Sequence, residues 1–230
     1  MIHRLGYTQQ QLYHGALLGT IAHAVWVAKE PLLAAMQSWH GHTYLLNDMS
    51  GTIATITFDN EHVVAVFFDA NSSRNPIASN QRYKIETYFE GLPDGVLQSL
   101  KAKALDFMLQ DYHGETRPIV TAAFWSEGRG NETNDNELIA SEPWDQLWSN
   151  GAHIISTQLL NLEQALAAWK DEFTFSSEQL ACVKSLYQRK VLSKEAVISL
   201  TEQEKNVLAS TNQEGQEACQ KILGSINIDY

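Results

Sequence analysis

The order of apolar and polar positions changes period several times along the chain, and each change predicts an element. Over residues 8–28, Leu17, Ile21, Val25 and Ala28 recur at helical spacing, and Pro31 prevents continuation. A short second helix is expected over 32–39. The pattern then becomes β-like. Residues 43–46 and 52–58 are rich in Thr, Ile, Leu and aromatic side chains, with the turn-forming Asn47-Asp48-Met49-Ser50-Gly51 between them. After Asp59-Asn60-Glu61, residues 62–69 are apolar at nearly every position, as a central strand covered on both faces requires. These three runs predict a meander.

Beyond it, residues 70–81 read as a polar loop, and helices are expected at about 82–90 and 94–111. The second of these places Val96, Leu97, Leu100, Ala104, Phe107 and Met108 on one stripe. Residues 119–125 read as another buried strand, and 126–136, with Gly128, Gly130 and three Asn, as a loop. From Glu142 onward helices dominate. Asn161 precedes the stripe Leu162, Ala165, Leu166, Trp169 and Phe173; Ser176 with Gln179, and Thr201 with Glu204, have capping-box spacing; Gly224 is read as a helix stop.

The expected class is therefore α+β. A small mixed or antiparallel sheet, with strands near 43–46, 52–58, 62–69 and 119–125, packs with helices and leads into a helical C-terminal region. The expected division is an α+β domain over 1–157 and a helical subdomain over 158–230, the two able to pack as one unit.

Composition narrows the function classes. At 230 residues with 44% apolar and 19% charged side chains, the chain can bury a real core, which excludes disorder throughout. Sixteen Lys plus Arg stand against 27 Asp plus Glu, a net charge of −11. That balance argues against a nucleic-acid binder and against docking on anionic membranes. The charge is uneven, −3 over residues 1–125 and −8 over 126–230. Cys182 and Cys219 are the only cysteines, too few for a disulfide framework in this length, so a reducing, cytoplasmic setting is expected. The apolar run 16–21 followed by Ala22-His23-Ala24 imitates a signal peptide, but Gln9-Gln10-Gln11 and Tyr13-His14 interrupt where its apolar region would begin, and the helical spacing fits a core helix. No apolar run reaches membrane-spanning length.

The usual catalytic signatures are absent: no nucleophile elbow, phosphate-binding Gly-Lys-Ser/Thr loop, dinucleotide fingerprint or His-Glu-x-x-His occurs. His40-Gly41-His42 is the one metal-like motif. On a strand the two imidazoles share a face and could hold zinc or iron if a third ligand such as Asp48, His62 or Asp69 came near. A metal-assisted hydrolase around His40 and His42 is the enzymatic alternative; the leading expectation carries no cofactor.

Two loops that leave apolar strands form a candidate ligand site: Asp69, Asn71 and Arg74 on one, Trp125, Glu127 and Arg129 on the other. Were the strands parallel neighbours, both Arg could grip a carboxylate or phosphate at one sheet edge. A candidate partner surface combines Glu132, Asp135 and Glu137 of the acidic segment with Trp144 and Trp148, four residues apart on one helix face. The leading expectation is thus a soluble, acidic, non-enzymatic interaction protein that captures a basic protein partner and binds neither nucleic acid nor membrane. It resembles immunity or inhibitor proteins in general character, not in motif.

Overall fold

Residues 2–59, 62–79, 83–92, 95–126, 137–193, 197–209 and 212–230 are described by a computed structural model. The strands are β1 (His3–Thr8), β2 (Gln37–His40), β3 (Thr43–Asn47), β4 (Thr52–Phe58), β5 (Val63–Asp69), β6 (Leu109–Tyr112), β7 (Glu115–Pro118), β8 (Ala122–Ser126), β9 (Glu137–Ala140), β10 (Ile198–Ser199) and β11 (Ile228–Asp229), of which β3, β4, β5 and β8 fall on the four β-rich runs. The helices are α1 (Gln9–Val27), α2 (Pro76–Ser79), α3 (Val96–Leu105), α4 (Trp144–Trp148), α5 (Leu162–Glu172), α6 (Ser177–Leu192), α7 (Glu202–Leu208) and α8 (Gln213–Ser225). The class is α+β. Contacts divide the chain into two units, Met1–Leu12 with His42–Ser156 and Tyr13–Gly41 with Thr157–Tyr230. The second unit joins residues 13–41 to residues 157–230.

Within the first unit the large sheet runs β1-β9-β8-β5-β4-β3, antiparallel at every step. β5 is buried at all seven positions, as its unbroken apolar run requires. Its register with β4 pairs Thr52 with Asp69 and Phe58 with Val63. On one face Val64, Val66, Ala123 and Trp125 pack with Leu100 and Ala104 of α3 and with Tyr88, Met108 and Ile119. On the other, Phe67 and Phe124 meet at 5.5 Å between ring centroids. Gly151 (φ 118°) approaches that face so closely that a Cβ there would lie 3.1 Å from Phe67 Cβ.

In the second unit Leu17, Ile21 and Val25 of α1 join one core with Leu166 and Trp169 of α5, Val183 and Leu186 of α6, and Ile222 and Leu223 of α8. This shared core explains why residues 13–41 belong with the C-terminal helices. The capping boxes expected at Ser176/Gln179 and Thr201/Glu204 open α6 and α7, and Asn161/Gln164 opens α5. Cys182 and Cys219 are free and buried, and burial pushes both thiols up to about 12. No helix among the described residues is long and apolar enough to cross a membrane.

Several elements differ from the sequence reading. Residues 32–39 do not form a helix: Pro31–Met36 is a 3-10 turn and Gln37 enters β2, whose Trp39 Nε1 donates to Thr20 Oγ1 at 2.8 Å. The helix expected over 82–90 is a 3-10 turn, Ile85–Phe89. That expected over 94–111 stops at Leu105, because β6 and β7 form a hairpin whose turn residues His113 (φ 55°) and Gly114 (φ 80°) are both left-handed. The strand read at 119–125 is β8, beginning at Ala122. α8 runs through Gly224 to Ser225, and Asn227 (φ 58°) follows it in the left-handed region.

Candidate functional site

The loop after β5 is held by its own side chains. The Asp69 carboxylate accepts the Asn71 N–H at 2.8 Å, Ser72 Oγ accepts the Arg74 N–H at 3.0 Å, and Asn75 Nδ2 donates to the Ala70 carbonyl at 2.9 Å. Buried Asp69 is therefore a turn former. Ser72 Oγ also donates to Asn150 Oδ1 at 2.6 Å, while Asn150 Nδ2 donates to the Gln146 carbonyl at 2.7 Å. Thr121 Oγ1 donates to the Asn150 carbonyl at 2.7 Å. This buried network fixes α4 against the ends of β5 and β8, and it presents two adjoining surfaces.

The first is a cleft of about 330 Å³ lined by Arg74, Pro76, Tyr83, Lys84, Thr87, Tyr88 and Glu142. The Arg74 guanidinium donates to Glu142 Oε2 at 2.6 Å and to Gln146 Oε1 at 3.2 Å. Tyr83 Oη accepts the Val120 N–H at 2.8 Å. Burial pushes the phenols of Tyr83 and Tyr88 up, so both keep their protons at neutral pH.

The second is an aromatic row. Tyr7 of β1 meets Trp144 at 5.4 Å, Trp144 meets Trp148 at 6.0 Å, and Trp148 meets His153 at 6.4 Å between centroids. Trp148 is 41% exposed, Tyr7, Trp144 and His153 are half-buried, and Asp145, next to Trp144 in α4, is exposed. His153 Nδ1 lies 3.1 Å from the Trp148 carbonyl, which ties the last ring to α4.

The sequence-derived candidates sort accordingly. Arg74 lines the cleft, Asp69 and exposed Asn71 shape the loop beside it, and Trp144 and Trp148 form the middle of the row. Trp125 is fully buried, with its indole N–H unpaired, and belongs to the core. The two apolar strands are neighbours but antiparallel: Val64 pairs with Trp125 and Phe67 with Ala122, so Asp69 and Ser126 lie at opposite ends of the sheet. That geometry overturns the shared edge on which a joint grip by Arg74 and Arg129 depended. Glu127, Arg129, Glu132 and Asp135 lie outside the described residues. Glu137 on β9 accepts from Arg4 of β1 at 2.6 Å, which compensates its charge. His40 ends β2, with Nε2 3.4 Å from Ser38 Oγ, and exposed His42 precedes β3. Among the described residues no group of three His, Cys, Asp or Glu is placed to hold a metal ion, so they offer the pair no third ligand of the kind a zinc or iron site needs.

Glu142, Gln146, Tyr83, Lys84, Tyr88, Tyr7 and His153 were not legible as site residues. Gln146 carried a faint signal, lying between two Trp on one short helix; the others are joined by long-range contacts that no local pattern encodes. Family models, curated proteins and solved structures gave no match to this chain.

Proposed function

We propose that the protein is a non-enzymatic binding protein that captures a basic protein partner on the α4 surface. The observation that carries this reading is the contiguous row Tyr7–Trp144–Trp148–His153, with Trp148 41% exposed at its centre. Large aromatic side chains left at the surface on a rigid support are the side chains that anchor protein interfaces. The row is rigid because the Ser72–Asn150–Thr121 network holds α4 from beneath. A basic partner is favoured by the net charge of −11 and by exposed Asp145 on the same short helix. Indole faces also attract Lys and Arg through cation–π contact.

A random-peptide display selection on the immobilised protein tests this. The expected outcome is enrichment of Lys- and Arg-containing peptides whose affinity falls at least about tenfold on Trp148→Ala, the loss typical of an interface anchor. Added salt should slow their association. Enriched peptides without basic residues, or binding indifferent to both Trp144→Ala and Trp148→Ala, would contradict the reading.

A further inference from the structure

The cleft beside α4 has chemistry of its own, separate from the aromatic row. Among the described residues its charged lining is Arg74 and Lys84 against Glu142, a net positive site on a protein of net charge −11. Glu142 already accepts a hydrogen bond from Arg74 at 2.6 Å. Lys84 lines the cleft, is exposed and makes no ion pair among the described residues. The Tyr83 oxygen accepts the Val120 N–H, which leaves its own proton to donate, and the Tyr88 hydroxyl has no protein acceptor among the described residues. Arg74 retains N–H groups beyond those given to Glu142 and Gln146. Among the described residues the cleft therefore gathers two cations and two phenol donors against one carboxylate, which is paired with Arg74.

We propose that this cleft binds a small organic monocarboxylate, gripped by Lys84, the Tyr83 and Tyr88 hydroxyls and the free N–H groups of Arg74. Charge selects the anion class. One negative charge balances the lining, whereas a phosphate dianion would bring its second charge against Glu142. Size agrees, since about 330 Å³ stands at the small end of ligand sites. The guanidinium arrives already oriented by Glu142 and Gln146, so little ordering opposes binding. Two protonated phenols with a cation form a receptor for a planar carboxylate, whose oxygens together offer about four acceptor sites.

Titration of the full chain with propionate, followed in a ¹H–¹⁵N correlation spectrum, tests the assignment. Saturable shifts are expected at Thr87, Tyr88 and Val120, the last because its N–H bonds to Tyr83. Neutral propionamide, of the same shape, should give none. Lys84→Gln, an exposed change that spares the fold, and Tyr83→Phe should each weaken propionate roughly tenfold, the loss of one hydrogen bond to a charged group. Four results would each overturn the proposal: no saturation, an equal response to propionamide, inorganic phosphate binding as tightly as propionate, or affinity unchanged in both variants.

Discussion

His23 shows how one buried side chain couples this fold to pH. It lies on α1 with no exposure, its Nε2 3.5 Å from the Ala34 carbonyl and its Nδ1 without a hydrogen-bond partner. Burial lowers its pKa from 6.5 to about 4, opposed by the Ala34 contact. A depressed histidine pKa means that, between those values, the unfolded chain binds a proton that the fold refuses. The stability is therefore present above pH 6.5 and is lost as pH falls towards 4, by roughly 3 kcal/mol in all. Denaturant midpoints at neutral pH and near pH 4.5 should differ clearly less for His23→Leu than for the native chain; an equal acid loss in both would assign the sensitivity elsewhere. At this scale some of the molecule was legible. Leu180, Val183 and Leu186 beside Cys182 mark it in the sequence as a small buried apolar residue, and it is buried. Trp125 ends the run 119–125 that reads as a buried strand, yet an indole at a strand end looks the same in sequence whether it points into a core or into a ligand site.

At the scale of elements, α1 illustrates sterics overruling propensity. Alanine is ordinarily about 1 kcal/mol better than glycine inside a helix. A Cβ on Gly15, however, would stand 1.7 Å from the Gln158 carbonyl oxygen, a backbone atom that cannot turn aside. The overlap must displace the helix, and overpacking of this kind costs about 1–3 kcal/mol or more. Gly15→Ala should therefore destabilise by thermal unfolding, while Gly224→Ala in α8, where a Cβ meets nothing within 4 Å, should be neutral or stabilising. A stabilised Gly15→Ala protein would contradict this close approach. The same contrast explains which elements could be read beforehand. The capping boxes of α6 and α7 and the nearly all-apolar β5 rest on local chemistry and were legible. β1 and β9 pair across most of the first unit, His3 with Ala140, and four-residue β9 has too little periodicity to announce itself. The segment 32–39 has helix-forming residues, yet the Trp39–Thr20 hydrogen bond belongs to a strand that only the tertiary structure requires. His113-Gly114 carried the left-handed turn signal that would have ended α3 earlier.

For the whole molecule, the sequence pointed to an acidic protein with exposed aromatic anchors, and the structure brings Trp144 and Trp148 into one row with Tyr7 and His153. The partner-binding account depends on that row acting as a unit, so its most direct test reads the indoles themselves. The chain holds six Trp, and each contributes one indole N–H resonance. Adding a selected basic peptide should shift the Trp144 and Trp148 resonances, assigned through their Ala variants, and leave that of buried Trp125 in place. Binding that leaves Trp144 and Trp148 unmoved would contradict the account and place the partner on another surface.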